Sequence, residues 1–456
     1  MISTKSSTKV ALVYPYFQTN SPNKRLFPPL GIASLASQLH QVGIDAHVFD
    51  CTFSNLESLI SELQSFNPSI VGVYSMASMS KNAFQVAAGV RENLPACLLI
   101  AGGPLPTLYP DQYLGPFDVV FKGEADLALP KFCIDVDKFE YPRKEFTKLD
   151  LSTYDGIQVH AKDHLIDIPP VHHSEKTIQT FPVPFRNEFN DSAYQEFWTY
   201  KNGTRTTSLI TTFGCPYSCD FCSKPVWGNA FRRRNLDMVF NEIVDVSKRG
   251  YDTLWIADDN FTLDPAFLQE FCLRMKGHEL KWSCLSRVSG LNLETTKMMK
   301  DAGCRMVYLG LESGCEDTLR LMKKRASLWD GIRAIELFRK ADIEVAGFFI
   351  VGYPGETIPS VEDTFKFALT QPFSEISFNV PYPLPGSELY GKVEDIAAGE
   401  DWTEENEVKF LYQTEFDPIW LKSRIHQTMD EFARIQKSSN SLLSSDKVKT
   451  YESDLE

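Results

Sequence analysis

The order of strand-like and helix-like segments is the feature that most limits the folds open to this chain. Between residues 8 and 130, short apolar runs alternate with segments whose apolar residues recur at helical spacing. The strand-like runs are residues 10–16, 44–50, 69–76, 97–103 and 118–124. Strands that alternate with helices favour a parallel sheet with helices on both faces. Residues 1–135 are therefore predicted to form a Rossmann-like α/β domain.

Most of these strand-like runs end in small or polar residues, and this predicts a ligand-binding edge. In open α/β sheets, ligands bind outside the carboxyl ends of the strands. Residues without a large side chain let a ligand approach the backbone there. The candidate cofactor-binding residues at this edge are Ser75, Ala77, Gly102, Gly103, Gly123 and Glu124.

The alternation of strands and helices returns between residues 206 and 395. Helix-like segments such as residues 236–250 and 328–342 separate six further strand-like runs. These runs are residues 207–213, 253–261, 281–288, 305–314, 344–356 and 375–386. Six strands with intervening helices predict a partial (β/α)6 barrel, whose chemistry would lie at the carboxyl ends of its strands.

The two remaining stretches of the chain have no such clear alternation. Residues 136–205 are rich in aromatic residues, prolines and polar residues, and we interpret them as a linker that covers a site. His172 and His173, adjacent in this linker, are expected to be solvated loop residues. Residues 396–456 are expected to form a small, mostly helical C-terminal region that ends in a disordered tail.

Composition and charge limit the partners and the location of the protein. The formal net charge of −14 repels nucleic acid, so a small molecule is the expected substrate and no nucleic acid is expected as a partner. No run approaches the roughly 20 apolar residues that span a bilayer. The N-terminus does not have the pattern of a signal peptide. The protein is therefore expected in the cytoplasm, where clustered thiols favour metal ligands over disulfides.

The stretch GCPYSCDFCSK, residues 214–224, places three cysteines in one loop directly after a strand-like run. A structural zinc site normally has four protein ligands, and a disulfide would leave one thiol over. A [4Fe–4S] cluster held by three thiolates keeps one iron open for an outside ligand. The residues alone leave incidental thiols and a zinc site as alternatives.

The spacing of Cys215, Cys219 and Cys222, with Phe221 before the last of them, resembles the signature of the radical S-adenosylmethionine (SAM) superfamily. The resemblance implies that these three cysteines hold a [4Fe–4S] cluster. It also implies that the open iron binds the amino and carboxylate groups of SAM. One electron from the reduced cluster would then cleave SAM to a 5′-deoxyadenosyl radical.

Two further segments resemble parts of the superfamily that contact the methionine end of SAM. Asp258, Asp259 and Asn260 follow the second barrel strand, where the superfamily has a turn that binds the amino group. A carboxylate suits a cationic amine, although an N-cap or Asx turn explains any one of these residues equally well. Arg287 is a candidate for binding the SAM carboxylate, and a surface salt bridge is the alternative.

The nucleoside end of SAM is matched by two later segments. Glu312, at the end of the fourth barrel strand, resembles the acid that accepts hydrogen bonds from the ribose hydroxyls. The stretch FIVGYPGET, residues 349–357, resembles the fifth-strand glycine motif beside the adenine. The resemblance implies that Ile350 packs on the face of the base and that Gly352 lets the base approach the backbone.

The N-terminal domain extends the resemblance to radical SAM enzymes that carry a cobalamin-binding domain. This group includes class B radical SAM methyltransferases and anaerobic magnesium-protoporphyrin monomethyl ester cyclase-like enzymes. Four segments match in order: residues 28–39, 71–78, 101–107 and 121–126. The loop after the first strand has no histidine to ligate cobalt. The cofactors expected are a [4Fe–4S] cluster, SAM and cobalamin, and a degenerate domain without cobalamin stays an alternative.

The resemblance implies methylation of an unactivated carbon as the leading reaction. The deoxyadenosyl radical would remove a hydrogen atom, and the substrate radical would take a methyl group from methylcobalamin. The electron would come from a reductant such as flavodoxin or ferredoxin. Alternatives are an oxidative cyclisation or rearrangement, tRNA methylthiotransfer, and a non-enzymatic iron–sulfur protein.

Overall fold

Two largely parallel sheets, one in each half of the chain, form the framework of this computed structural model. The structure describes residues 8–17, 25–161, 164–393, 410 and 412–452. The N-terminal sheet has seven strands in the order β2-β1-β3-β4-β5-β6-β7. They are β1 Lys9–Tyr14, β2 Asp45–Asp50, β3 Ile70–Tyr74, β4 Leu98–Gly102, β5 Val119–Phe121, β6 Ile157–Ala161 and β7 His164–Asp167.

Strands β1 to β5 pair in parallel, which confirms the predicted α/β fold of the N-terminal half. Strands buried on both faces read as nearly continuous apolar runs, and this made them visible in the sequence. Helices α1 and α6 cover one face of this sheet, and α2 and α3 cover the other. The helices that precede β6 are α1 Leu30–Gln41, α2 Leu56–Phe66, α3 Ser80–Asn93, α4 Pro104–Leu108, α5 Pro110–Tyr113, α6 Ala128–Val136 and α7 Pro142–Glu145.

The N-terminal sheet continues beyond residue 135 into the segment interpreted as a linker. Strand β6 pairs antiparallel with β5, and β7 pairs antiparallel with β6. These strands are only five and four residues long, and β7 is mostly exposed. Neither is a long apolar run, so neither was recognised in the sequence. The rest of the segment contains α8 Glu175–Ile178 and α9 Asp191–Asn202.

The C-terminal half forms a six-stranded parallel sheet in the order β15-β14-β13-β12-β11-β8, which confirms the partial (β/α)6 barrel. A two-stranded ribbon, β9 and β10, closes the cysteine loop at its two ends. The strands are β8 Thr206–Leu209, β9 Thr212–Phe213, β10 Arg232–Arg233, β11 Thr253–Ile256, β12 Lys281–Ser286, β13 Cys304–Glu312, β14 Glu344–Ile350 and β15 Glu375–Asn379.

The barrel helices cover the outer face of this sheet, and the last helix packs beside them. They are α10 Leu236–Lys248, α11 Pro265–Met275, α12 Leu293–Asp301, α13 Glu316–Leu321, α14 Leu328–Lys340, α15 Ile358–Thr370 and α16 Pro418–Glu452. Helix α16 buries Leu421 and Ile425 against Phe365 of α15. It runs through most of the tail that the sequence indicated as disordered, and residues 453–456 lie outside the described residues. None of the described helices is both long and apolar enough to cross a membrane.

Candidate functional site

A cavity of about 620 Å³ lies between the carboxyl ends of the N-terminal strands and the mouth of the barrel. Its walls are mainly apolar, and they come from both halves of the chain. Six of the residues predicted as cofactor contacts line it: Ala77, Gly102, Gly103, Gly123, Glu124 and Asp259. On the barrel side, Ser223 and Lys224 of the cysteine loop also line the cavity. The strand ends predicted to bind cobalamin and the cysteine loop predicted to hold the cluster therefore face the same cavity.

Two glycines of this edge have backbone geometry that other residues would not tolerate. Gly103 has φ 105°, and a Cβ there would lie 2.7 Å from the carbonyl oxygen of Ser75. Gly123 has φ 66°, and its Cβ would lie 2.7 Å from Cβ of Pro170. Glycine readily adopts such backbone conformations. The edge is thus a glycine cradle beside a large apolar cavity, which fits a planar cofactor such as a corrin.

Ser75 does not line the cavity as the sequence predicted. Its side chain is fully buried, and its hydroxyl lies 2.6 Å from the Tyr113 hydroxyl. Its amide donates to the Gly102 carbonyl across the sheet. The pattern of strand ends could not reveal this, because Tyr113 reaches Ser75 from a helix 38 residues later. The Ser75 side chain therefore packs against Tyr113 inside the domain and does not face the cavity.

Glu124 lines the cavity, but its carboxylate is already bound on several sides. Oε1 accepts a hydrogen bond from Arg232 Nη1 at 2.6 Å and lies 3.2 Å from His172 Nδ1. Oε2 accepts from the backbone amide of His173 at 3.0 Å. His173 is only 8% exposed, so the expectation that both histidines are solvated was wrong for this residue. Glu124 thus fastens the linker and the β10 ribbon to the N-terminal sheet.

The cysteine loop is held in shape by its own backbone and one lysine. Gly214 has φ 76°, and a Cβ there would lie 2.3 Å from the Ala230 carbonyl oxygen, so only glycine fits. Lys224 Nζ donates to the carbonyls of Cys215 at 2.8 Å and Tyr217 at 2.5 Å. The amide of Cys222 donates to the carbonyl of Cys219 at 3.1 Å. The three thiols are each partly exposed at the barrel mouth.

A positive charge lies next to the middle cysteine. Arg287 Nη1 is 3.3 Å from Cys219 Sγ, and the guanidinium stacks 3.8 Å from the Tyr217 ring. Nη2 donates to the Lys324 carbonyl, whereas the buried Nε has no hydrogen-bond partner among the described residues. A buried guanidinium beside a thiol suits an anionic thiolate group. Arg287 therefore lies at the cysteine loop and is not part of a surface salt bridge.

Burial raises the pKa of the Cys222 thiol to about 11. Such a thiol becomes a thiolate when a metal binds it, because metal binding releases the proton. Within the described ranges, no group of three or more histidine, cysteine, aspartate or glutamate side chains is gathered for a single metal ion. In an iron–sulfur cluster, several irons share the cysteine ligands. The assignment of Cys215, Cys219 and Cys222 as cluster ligands stays a prediction.

The three residues after β11 have different surroundings. Asp258 is fully buried and accepts hydrogen bonds from the Thr211 amide at 2.6 Å and the Thr212 hydroxyl at 2.7 Å. Burial raises its pKa to about 6. Asn260 Oδ1 accepts from the Arg287 amide at 3.3 Å. Asp259 alone of the three lines the cavity, so it is the one placed to meet a ligand amine.

Glu312 forms a buried ion pair that the sequence did not indicate. Its Oε1 accepts a hydrogen bond from Lys324 Nζ at 2.6 Å, and both side chains are at most 10% exposed. Lys323 and Arg325, on either side of Lys324, have φ of 50° and 52°, an uncommon conformation for such residues. Backbone strain of this kind clusters at functional sites. Lys324 was missed because a run of basic residues normally indicates an exposed surface.

Phe221 and Ile350 come together beside the cysteine loop. They pack against one apolar cluster, whose buried members are Met322, Tyr353 and Leu389. Gly352 has φ 79°, but the space a Cβ would need is filled by Phe410 Cζ at 2.6 Å. Gly352 is therefore required because the C-terminal region packs directly against it. The contacts of Ile350 and Gly352 with adenine stay predictions.

Glu356, in the loop after β14, gives the protein a predictable pH dependence. Burial raises its pKa from the ordinary 4.5 to about 7. A carboxyl group whose pKa is higher in the native protein than in the unfolded chain loses its favourable protonated state as pH rises. The free energy of unfolding therefore falls by about 3 kcal/mol in all between pH 4.5 and pH 7. Glu356→Gln should flatten this part of the stability profile. Thermal melting of both proteins at pH 4.5 to 8 checks this, and parallel profiles would contradict it.

Two family models match the chain. The model of the radical SAM superfamily matches residues 209–368, and that of the B12-binding domain matches residues 24–132. The first range covers β11 to β14 with the cysteine loop, and the second covers the helices and strands from α1 to the first half of α6. The two matches therefore fall on the barrel and on the N-terminal sheet.

Curated proteins and solved structures resemble the chain over most of its length. An uncharacterised methyltransferase, PH0819, of Pyrococcus horikoshii is 29% identical and covers 84% of this chain and 82% of its own. An anaerobic magnesium-protoporphyrin IX monomethyl ester cyclase of Cereibacter sphaeroides is 24% identical, with 87% of this chain and 66% of that protein covered. The radical SAM methyltransferase TsrM of Kitasatospora setae, solved with cobalamin and a [4Fe–4S] cluster, has a TM-score of 0.72 at 18% identity. That match covers 85% of this chain and 78% of TsrM, and it bears on the fold alone.

The matched domains agree with the chemistry of the residues described above. The cysteine loop lies in the radical SAM match, and the glycine cradle lies in the B12-binding match. The three expected cofactors, a [4Fe–4S] cluster, SAM and cobalamin, are those of proteins with this pair of domains. The resemblance seen in the sequence is thereby confirmed. This chain is an enzyme that joins a radical SAM domain to an N-terminal B12-binding domain.

Proposed function

We propose that this enzyme methylates an unactivated carbon of a small molecule in a cobalamin-dependent radical reaction. The observation that carries the proposal is the single cavity bounded by both predicted cofactor sites. The glycine cradle, with Gly103 and Gly123, forms one wall, and Lys224 and Asp259 at the barrel mouth form another. A radical formed at the barrel mouth and a methyl donor on the N-terminal sheet would then be separated only by the substrate.

The residues of this chain would bind and orient SAM at the barrel mouth. Cys215, Cys219 and Cys222 would hold the cluster, which supplies one electron to SAM, while cobalamin supplies the methyl group. Asp259 faces the cavity and can accept hydrogen bonds from the methionine amine. Arg287, beside Cys219, can bind the carboxylate.

The Glu312–Lys324 pair extends this assignment to the rest of SAM. Lys324 Nζ is held 2.6 Å from Glu312 Oε1 in a buried site at the end of β13. Glu312 has free acceptor capacity for ribose hydroxyls, since a carboxylate has about four lone-pair sites. Lys324 offers a second cation for the carboxylate of SAM. We propose both as SAM contacts, and Ile350 as the apolar contact of the adenine.

The cavity wall suits radical chemistry because it is mainly apolar. Trp227, Trp255 and Phe213 lie on the barrel side of the cavity. An apolar, enclosed site keeps water from a reactive intermediate. Removal of a hydrogen atom from an unactivated C–H bond requires no general base. Glu124 is a carboxylate at the cavity wall that could act as one, and its oxygens are already hydrogen-bonded to the protein.

A radical oxidative cyclisation is the second candidate function. It is favoured by the relative from Cereibacter sphaeroides, a magnesium-protoporphyrin ester cyclase similar over 87% of this chain. The cluster, SAM and cobalamin residues do not separate the two reactions. SAM with a labelled methyl group does, because methylation puts the label into the product and cyclisation does not.

The electron donor and the substrate class are also part of the proposal. We propose a reductant such as flavodoxin or ferredoxin as the source of the electron. A small molecule is favoured over nucleic acid as the substrate because the chain has a formal net charge of −14. Reduction by purified flavodoxin or ferredoxin, followed by SAM cleavage, tests the first of these statements.

Gly102→Leu should greatly reduce corrinoid binding while the [4Fe–4S] cluster still assembles. Gly102 ends β4, lines the cavity, and has room for a side chain, since a Cβ would lie 3.7 Å from its nearest neighbour, the Phe121 carbonyl oxygen. Leucine would therefore fill cofactor space without disturbing the sheet. Bound corrinoid and iron per chain, measured after anaerobic reconstitution, check the result.

Gly277→Leu is the matched control for this substitution. A Cβ at Gly277 meets no atom of the described residues within 4 Å, and Gly277 lies between α11 and β12, outside the cavity. This variant should bind corrinoid as the wild-type protein does. If both variants retained equal amounts of corrinoid, the cobalamin site would not lie in this cavity. That result would contradict the methyltransferase proposal.

A further inference from the structure

Asp220 lies inside the cysteine loop, between two of the predicted cluster ligands, and its side chain is fully buried. Its two carboxylate oxygens accept hydrogen bonds from different partners. Oδ1 accepts from the Tyr353 hydroxyl, and Oδ2 accepts from the Lys392 ammonium. Its backbone amide donates to the Met322 carbonyl at 3.2 Å, and its carbonyl accepts from the Leu389 amide at 2.9 Å. Asp220 thus joins the cysteine loop to three other segments.

These contacts hold the carboxylate at a fixed place relative to the cluster loop. Tyr353 is 1% exposed and belongs to the loop after β14. Its amide donates to Glu356 Oε2 at 2.8 Å, which fixes the backbone of this loop at Tyr353. Met322 and Leu389 lie in the same apolar cluster, against which Phe221 packs. The Asp220 carboxylate is therefore buried and bound by groups from the segments around it.

The two halves of the ion pair have different surroundings. Asp220 is buried, whereas the Lys392 side chain is 43% exposed at the surface. Charges in a protein interior interact more strongly with their neighbours than charges in water do. Asp220 directly follows Cys219 and precedes Cys222 by two residues. Any anionic cluster on these cysteines must therefore be influenced by the balance between Asp220 and Lys392.

We propose that the Asp220–Lys392 ion pair sets the reduction potential of the [4Fe–4S] cluster. The inference rests on the proposed cluster site. Net charge and hydrogen bonding around an iron–sulfur cluster tune its potential. Reduction adds one electron, supplied by a donor of the flavodoxin or ferredoxin type, and so makes the cluster more negative. Asp220 opposes this step, and Lys392 favours it.

The test is a redox titration of the cluster in the anaerobically reconstituted full-length protein, followed by electron paramagnetic resonance. Lys392→Met should shift the midpoint potential to a more negative value, because it leaves a buried carboxylate without its cation. Asp220→Asn should shift it to a more positive value. The double variant should lie between the two, close to the wild type. Iron and sulfide per chain are measured for each protein.

Lys323→Met is the matched control, because Lys323 pairs with Glu388 and both side chains are about half exposed. It should change the potential less than Lys392→Met does, because its partner Glu388 is half exposed and screened by water, whereas the partner of Lys392 is the fully buried Asp220. Lys392→Arg should restore the wild-type potential. If Asp220→Asn fails to assemble the cluster, Lys392→Met and Lys392→Arg decide the question.

Shifts of opposite sign in the two single variants would support the proposal, because a general loosening of the loop would move both potentials in one direction. Equal potentials in all variants, or shifts of the same sign, would overturn it. If the wild-type protein holds a cluster and cleaves SAM while the shifts are missing, only this inference fails. If the wild-type protein holds no cluster, the proposed function fails with it.

Discussion

We expect Cys219→Ala to abolish cleavage of SAM and to leave corrinoid binding largely intact. The variant removes one of three thiols in a loop that supplies no fourth ligand, so a cluster that binds SAM cannot be held. Cys219 is also the thiol next to the Arg287 guanidinium, at 3.3 Å. The glycine cradle lies in the other half of the chain and is unchanged. Formation of 5′-deoxyadenosine from SAM under reducing conditions, together with bound corrinoid, checks both parts.

Cys315→Ala is the control for this variant, because Cys315 is a partly exposed thiol outside the cysteine loop. It should retain iron, sulfide and SAM cleavage at wild-type levels. Cleavage of SAM by Cys219→Ala at the wild-type rate would contradict the cluster assignment. Loss of corrinoid together with the cluster would show instead that the two sites fold as one unit.

Glu242→Gln is expected to lower the free energy of unfolding by about 3–5 kcal/mol. Glu242 is fully buried between two arginines, with its oxygens 2.5 Å from Arg186 Nη2 and 2.8 Å from Arg234 Nη1. Both guanidinium groups are at most 6% exposed. Removing the carboxylate that the two arginines share leaves both buried cations without this counter-charge. Urea denaturation followed by tryptophan fluorescence measures the loss.

Glu336→Gln provides the comparison, because Glu336 pairs with Lys340 on α14 and both side chains are about 60% exposed. Such a surface pair contributes at most about 1 kcal/mol. A Glu242→Gln midpoint that matches that of Glu336→Gln would contradict the stabilising role of the buried pairs. The comparison matters for function because Arg186 belongs to the segment that joins the two halves.

The strands could be predicted from the sequence because buried parallel strands are continuous apolar runs. The first strand, predicted at residues 10–16, is Lys9–Tyr14, and the last barrel strand, predicted to begin at residue 375, is Glu375–Asn379. Strands β6 and β7 were not predicted, since they are short and β7 is largely exposed. Periodicity identifies elements that bury a whole face and misses short edge strands.

The site was only partly predictable, because a side chain's partners often come from distant parts of the chain. Spacing identified the cysteine loop, whose residues are local. It could not show that Arg232, 108 residues away, binds Glu124, or that Thr211 binds Asp258. It also missed Lys324, whose burial depends on the fold of β13 and the loop after α13. These long-range pairs determine which of the predicted residues can still meet a ligand.

The most direct test of this account is the electron paramagnetic resonance spectrum of the reduced, anaerobically reconstituted protein, recorded with and without SAM. We predict a [4Fe–4S] signal that changes when SAM is added, because SAM completes the coordination of the open iron. A spectrum that is the same with and without SAM would contradict the account. So would a protein that binds zinc at the cysteine loop in place of the cluster.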